Sequence, residues 1–317
     1  MCIRLVSIYI NILDLSSYFI YNINMVNSHA LKRRWGTDQR LEFIEFRLFW
    51  EGTLKRGDIT DRFGISVAQA SADLALYKRL APKNLDYDLS MKRFVAAENF
   101  RPRLFQPSAD RYLVQLKAIS DNVISTENAN IGSPPAIDSM PIPHRRVDPL
   151  ILRRVLKTIH RAKGIKVYYH SMNVSRPVPL WREITPHALA FDGLRWHVRA
   201  YCHLESRFKD FILSRFLDLG QEVPPAAVAT DDIQWVSLFD VSLIPNPKLS
   251  KSQKKTVALD YNMKNGEVRI PVRRALLYYF NKRLRLDIAY RIDDPKETPV
   301  VIANRIEFEE ALRQAST

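Results

Sequence analysis

Two groups of residues in this 317-residue chain have the types and spacing to do chemistry. The first lies between positions 169 and 215 and comprises Tyr169, Ser171, His187, His197, Arg199 and Arg215, with Trp196 beside them. Arginine offers a planar fork of donors that matches the oxygens of a phosphate or carboxylate, and hydroxyls and imidazoles add single hydrogen bonds. The set points to an anion-binding pocket in which an aromatic ring can stack on a base. Against it stands a plainer reading, with His197 and His203 at the surface and Trp196 in a core; for Trp196 the core is the expectation. The second group is Ser66, Gln69 and Ser71, at the leading edge of a short helix. The amide of Gln69 has the geometry for a paired contact with adenine in the major groove. Here the alternative is a solvated helix face.

Neither group is a catalytic constellation. The chain contains no HExxH, Walker loop, dinucleotide glycine fingerprint or nucleophile elbow. Ser171, His187 and Asp192 can be written down as a triad, but no nucleophile turn accompanies them, and no enzyme is expected. Cys2 and Cys202 are the only cysteines, so a disulfide framework is excluded. No cluster has zinc-ligand spacing, and neither metal nor cofactor is expected. The excess of 48 Lys and Arg over 34 Asp and Glu, a formal charge of +14, favours a polyanionic partner. An apolar fraction of 46%, with 15 Phe and 13 Tyr, is ample for packed cores.

The elements that must position these residues follow from periodicity. From Asp38, Leu41, Ile44 and Leu48 share one helical face, widened by Phe43, Phe46 and Trp50, and Gly52 ends it. A second helix fits Lys55–Phe63. Gly64 then supplies a turn and Ser66 a cap for a third helix over Val67–Arg79, with Val67, Ala70, Leu74 and Tyr77 on its buried side. Helix, tight turn, serine cap and a helix that starts with small residues make a helix-turn-helix, whose opening turn can enter the major groove. Two short strands around Ser90–Lys92 form a wing carrying Lys92 and Arg93 toward phosphate, with Lys55, Arg56 and Lys78 as further phosphate candidates. Between Lys32 and Arg103 fifteen Lys and Arg face ten Asp and Glu, a modest excess that supports this reading without establishing it.

A linking helix is expected over Leu104–Ser125, a Pro-bearing linker over Ser133–Pro143 and a helix over Pro149–Ala162. After Gly164 the period becomes that of strands: Ile165–His170, then Pro186–Phe191 and Leu194–Cys202 around the Asp192-Gly193 turn, then Phe208–Leu213. Short aromatic-rich strands of this kind suggest a small barrel or curled sheet. Lys248–Arg291 is the most basic stretch, with twelve Lys and Arg against three Asp and Glu. Within it Val257–Tyr261 and Val268–Ile270 read as strands around Asn265-Gly266. Arg273–Leu284 reads as a helix with Leu276, Leu277 and Phe280 inward, and a last helix covers about Glu307–Ala315.

The run Ile165–Ser171, Pro186-His187, Gly193–Cys202 and Phe211–Arg215 resembles the WYL-domain regulators, with Trp196-His197-Val198 at the name-giving triplet. Trp35–Gly52, Phe63–Leu74 and Leu80–Asp88 are similar to the subgroup of WYL repressors associated with bacterial anti-phage defence loci. The resemblance implies an α+β chain with three parts: an N-terminal winged helix-turn-helix, a central small Sm/SH3-like β-barrel and a small C-terminal α/β extension domain. It also implies a cytoplasmic homodimer on an inverted-repeat operator in double-stranded DNA, and an anionic, nucleotide-like or nucleic-acid effector on Tyr169, Ser171, His187, Arg199 and Arg215. His197 stands where that family usually has tyrosine.

The expected domains are 32–103 (winged helix), 104–162 (linking helices and linker), 163–222 (WYL) and 223–317 (extension). Residues 1–24 fall outside the resemblance and read as a non-native or disordered extension. The readings open there are translation from Met25, a partly ordered appendage or a membrane anchor, and no membrane partner is expected. The rival function is an RNA- or single-strand-binding or interaction module without operator specificity.

Overall fold

The computed structural model describes residues 35–143, 145–174, 176–289 and 294–316. The expectation for residues 1–24 lies outside them. The chain divides into two compact units, residues 1–141 and 142–317.

In the first unit α1 (Trp35–Glu51) leads through β1 (Thr53–Leu54) into α2 (Arg56–Phe63) and α3 (Val67–Leu80), followed by β2 (Leu85–Asp88), β3 (Arg93–Ala96) and α4 (Ala109–Ser120). Gly52 and Gly64 stop α1 and α2 because both take φ near +60 to +70°, which costs a residue with a Cβ. Ser66 starts α3, its hydroxyl accepting the Gln69 amide N–H at 3.1 Å. Leu41, Ile44 and Leu48 of α1 close over Ala70, Leu74 and Tyr77 of α3, as their helical spacing requires. Antiparallel β2 and β3 form the wing, and β1 adds to its β3 edge.

Inside this core Glu45 is fully buried and accepts hydrogen bonds from the Tyr77 hydroxyl and from the backbone N–H groups of Arg103, Leu104 and Phe105. It thereby ties the segment after the wing to the helices. Val67 departs from expectation: it is 60% exposed, because the first turn of α3 projects past the edge of the core. The linking helix is also shorter than 104–125. Ser108 caps α4 at its start, after Pro107, and Asn122 turns the chain with φ +55° at its end.

The second unit opens with α5 (Pro149–His160), capped by Asp148. Five antiparallel strands follow: β4 (Gly164–Tyr169), β5 (Leu180–Phe191), β6 (Trp196–Cys202), β7 (Arg207–Ile212) and β8 (Phe216–Val223), ordered β7-β6-β5-β4-β8. Flat, this order would set β7 and β8 about 19 Å apart. The link Leu213–Arg215, one 3-10 turn, is too short for that, so the sheet curls. Tyr169 at the end of β4 then accepts the Ile212 N–H at 3.2 Å, and its ring packs edge-on against Phe211 and Phe216. The edges meet through this side chain, without a hydrogen-bonded ladder between β7 and β8.

Beyond the sheet come α6 (Ile233–Val236), β9 (Leu238–Pro245), α7 (Lys251–Asp260), β10 (Val268–Arg273), α8 (Leu277–Arg283), β11 (Val300–Ile302) and α9 (Arg305–Ser316). The strands form a β10-β9-β11 sheet. Its core is centred on Val241, Leu243, Val272, Leu277 and Phe308.

Four readings need correction. Within Val257–Tyr261 the chain is helical rather than extended as far as Asp260, with Tyr261 as the C-cap, because Ser250 and Gln253 form a reciprocal capping box that starts α7. Strand β5 begins six residues earlier than Pro186, and β8, β9 and β11 are strands beyond those expected from the sequence. Trp196 is 50% exposed, stacked at an angle on Phe191 at the hairpin tip instead of filling the core. His197, by contrast, is buried. The segment 273–284 is a 3-10 turn, Arg274–Leu276, running into α8, not one continuous helix.

Candidate functional site

The exposed start of α3 carries Ser66, Val67 and Gln69 into solvent. The amide of Gln69 does not swing freely. Its Nε2 donates to Asp73 Oδ1 at 3.1 Å, one helical turn on, and Asp73, only 2% exposed, is held by Arg40 of α1 at 2.6 and 3.3 Å. A carboxylate can only accept, so the NH2 side of the Gln69 amide must face Asp73. That leaves Oε1 and the second N–H directed outward, the acceptor and donor that an adenine edge requires. Arg40 and Asp73 were invisible to the sequence argument, since they lie 33 positions apart.

The other expected DNA-facing residues are placed as follows. Ser71 turns its hydroxyl back onto the Val67 carbonyl at 2.8 Å and is half-buried. Lys55, at the N-cap of α2, and Arg56, its first residue, are exposed, as is Lys78 on the last turn of α3. Lys92, with φ +50°, is exposed at the wing tip, and Arg93 beside it is half-buried. The α2 start, the last turn of α3 and the wing tip thus offer four exposed cations, and the start of α3 offers one oriented amide.

In the second unit His187, His197 and Arg199 form an internal network with buried acids, in which the His197 Nδ1 is left without a hydrogen-bond partner. His187 occupies a β-bulge between Pro186 and Ala188, which aims it at Asp232 across 3.0 Å. Arg199 grips the same carboxylate with two prongs, Nε at 2.7 Å and Nη2 at 2.9 Å, and reaches Asp210 with Nη1 at 3.3 Å. Tyr279 donates from its hydroxyl to Asp210 at 3.1 Å and lies against the His197 ring at 4.7 Å. His197 in turn bonds Asp192, which also accepts from the Leu194 and Arg195 backbone and from the Arg195 side chain.

Burial works against the charge of Asp192 and Asp232. Hydrogen bonds nevertheless hold both carboxyls down to about 2, from His197 and the hairpin amides for Asp192 and from His187 and Arg199 for Asp232. Burial, and the nearby Asp210 carboxylate, push the Tyr279 hydroxyl far up. Asp232 also caps α6, so the network joins the curled sheet to the C-terminal segment.

The six residues expected to share a pocket therefore separate. His187, Arg199 and His197 belong to this network, bonded to Asp232, Asp210 and Asp192. Tyr169 closes the curl of the sheet, Ser171 accepts the Asn173 N–H at 3.2 Å in the segment after β4, and Arg215 ends the 3-10 turn before β8, half-buried. Asp232, Asp210 and Tyr279 were not foreseen. They come from distant parts of the chain, and no local pattern marks an acid that will meet an arginine 33 residues away. Among the described residues no group of acids, histidines and cysteines forms a metal site, and no helix is long and apolar enough to cross a membrane.

Three family models match this chain. Residues 36–118 match the BrxR transcriptional regulator winged helix-turn-helix domain, 150–220 the WYL domain, and 238–308 the BrxR transcriptional regulator C-terminal dimerization domain. The DNA-binding transcriptional repressor CapW of Escherichia coli (strain KTE188) is 35% identical over 89% of this chain and 93% of its own. The chain belongs to the WYL-domain transcriptional regulators.

Repressors named CapW from Stenotrophomonas maltophilia and Pseudomonas aeruginosa are also 35% identical, over 92% and 88% of this chain and 97% and 93% of theirs. A solved chain of the PafBC proteasome accessory factor of Arthrobacter aurescens aligns at 16% identity over 88% of this chain, which spans about half of that one, at 49%. Its TM-score of 0.24 is too low to inform the fold. The subgroup expected from Trp35–Asp88 is the one that this WYL regulator joins, and the winged helix and the dimerization domain are its two ends.

Proposed function

We propose that this WYL regulator is a homodimeric, sequence-specific repressor of its own defence-related locus in the cytoplasm. It binds an inverted-repeat operator in double-stranded DNA, and an anionic or nucleotide-like effector on the WYL region modulates it. The observation that carries the reading is the outward-facing amide of Gln69, held by Asp73 at the exposed start of α3. Around it, Ser66, Lys55, Arg56, Lys78, Lys92 and Arg93 contribute helix capping and phosphate contacts, and Ser71 steadies the first turn. Relatives at 35% identity that bear the name of DNA-binding repressors support the same conclusion. The curled five-stranded sheet is assigned to the Sm/SH3-like small-barrel class, since its edges meet at Tyr169. The domain limits 32–103, 104–162, 163–222 and 223–317 are retained.

In this mechanism two α3 helices meet successive major grooves, and dimer geometry must match half-site spacing. An effector acts only to the extent that it binds the released and DNA-bound forms with different affinity. The test is binding of the full chain to the duplex upstream of its own gene, against scrambled duplex and single strands at near-physiological salt. Salt matters because a basic chain binds any DNA when it is low. The proposal predicts a preference of about a thousandfold or more for the upstream duplex. Equal binding to scrambled duplex overturns operator specificity, and preference for single strands supports the rival module.

A further inference from the structure

Arginine is seldom enclosed without an anion, because a buried guanidinium has lost its water and needs a counter-charge in return. Arg199 obeys this rule: its Nε and Nη2 edge takes both oxygens of Asp232. Arg182, on β5 of the same sheet, breaks it. It is 4% exposed, and its own Nε and Nη2 are shut away from solvent with no hydrogen-bond partner. The contact it makes is with the face of the Tyr169 ring, its guanidinium carbon 5.5 Å from the ring centre. A cation over an aromatic face recovers part of the lost hydration but supplies no acceptor.

Position adds a second line. Arg182 is opposite Val167 in the β4–β5 register, two residues from the pair Tyr169–Leu180 where those strands end. At that end the backbone N–H of His170 donates to the Arg215 carbonyl at 3.3 Å, and Ser171 follows. Tyr169, Ser171 and Arg215, the three expected ligand residues that do not join the Arg199 network, are thus gathered at the end of the sheet nearest Arg182.

We propose that Arg182 anchors an anion site at this end of the sheet, its Nε and Nη2 edge gripping the paired oxygens of a phosphate or carboxylate head group on a small effector. The internal pair of Arg199 with Asp232 shows the geometry that the ligand reproduces. This rests on the effector-sensing reading and moves its anion from Arg199 to Arg182. Since both nitrogens are enclosed in the ligand-free molecule, neighbouring side chains must shift to admit the anion, which gives occupancy a conformational consequence.

The experiment is calorimetry and thermal unfolding of the full chain with inorganic phosphate, AMP and succinate, each against chloride at equal ionic strength. The expected result is saturable binding with a rise in Tm for one head-group class; a response to phosphate and AMP assigns a phosphoryl ligand, and a response to succinate alone a carboxylate. Arg182→Lys, which keeps the charge but loses the fork, is expected to weaken binding at least tenfold. Arg182→Met is expected to abolish it while leaving the Tm of the ligand-free protein unchanged or higher, because the uncompensated charge has gone.

A large fall in the Tm of ligand-free Arg182→Met overturns the proposal, as does equal binding by Arg182→Met and wild type, or no saturable binding by any probe. Operator release by an anion that binds Arg182→Met equally well would leave effector sensing standing and remove Arg182 from it. Binding that needs Arg182 but leaves operator affinity unchanged would do the reverse.

Discussion

The start of α3 and the cluster around Arg199 use the same kinds of residue for opposite ends. In both, an arginine meets a buried aspartate: Arg40 with Asp73, and Arg199 with Asp232. At α3 the pair serves a third group, Gln69, whose remaining donor and acceptor point outward from an exposed turn. Around Arg199 the third and fourth groups are His187 and Asp210, and the network closes on itself inside the protein. A polar cluster reads a ligand where it keeps unmatched hydrogen-bonding capacity facing outward. Where every charge has met its opposite, it holds parts of the chain together. Residue type alone does not separate the two cases; the count of partners does.

The comparison can be broken by mutation, and the largest effect belongs to the internal network. Asp232→Ala leaves buried Arg199 without its two-pronged partner and is expected to destabilise the second unit by about 3–5 kcal/mol. Replacing both, as Asp232→Leu with Arg199→Met, should recover most of that loss. Urea unfolding of the three proteins measures it, and a mild Asp232→Ala would mean that the cluster is open to water after all.

Acid is the next lever. The Asp192 and Asp232 carboxyls lie near 2 in the folded chain and near 3.9 when unfolded, so each favours folding above the unfolded value. That contribution, about 2 kcal/mol apiece, is complete above about pH 5 and is lost as pH falls from about 4 through 2. Unfolding free energies measured between pH 6 and 2 should show the fall, and Asp232→Asn should flatten part of it.

At the exposed Gln69 the account predicts altered recognition with unaltered stability. Gln69→Ala should cost about 1–3 kcal/mol of discrimination at one base pair in each half-site, with no change in unfolding. Asp73→Asn sharpens the point. An asparagine there can donate as well as accept, so the Gln69 amide is no longer fixed. The first unit loses the charge partner of Arg40 and some stability with it. At a temperature where the variant is folded, base preference at that position should broaden while binding to scrambled duplex stays the same. The smallest effect is Ser66→Ala, which removes the cap of α3 and should lower the stability of the first unit by about 1 kcal/mol, read from its unfolding transition.

Much of this was legible in the chain. The helical faces of α1 and α3 (Val67 apart), the glycine stops, the Ser66 cap and the Asp192-Gly193 hairpin are local, and local patterns report them. Val257–Tyr261 failed because a short apolar run does not distinguish strand from helix, and the capping box that decides it begins seven residues earlier. Trp196 failed because size suggests burial, whereas a hairpin tip presents it to solvent. The polar residues between 169 and 215 stand out in the sequence by type, but their partners lie at 210, 232 and 279, and sequence spacing carries no trace of such pairings. Arg182 was passed over for the same reason: its distinction is a partner that it lacks.

The most direct test of the central claim is selection of preferred duplexes from a random pool by the intact chain, in parallel with Gln69→Ala. The account predicts that wild type enriches an inverted repeat, and that the variant enriches the same repeat with preference lost at one symmetric base pair. Enrichment of no repeat by wild type, or an unchanged motif with the variant, would contradict the assignment of DNA reading to the start of α3.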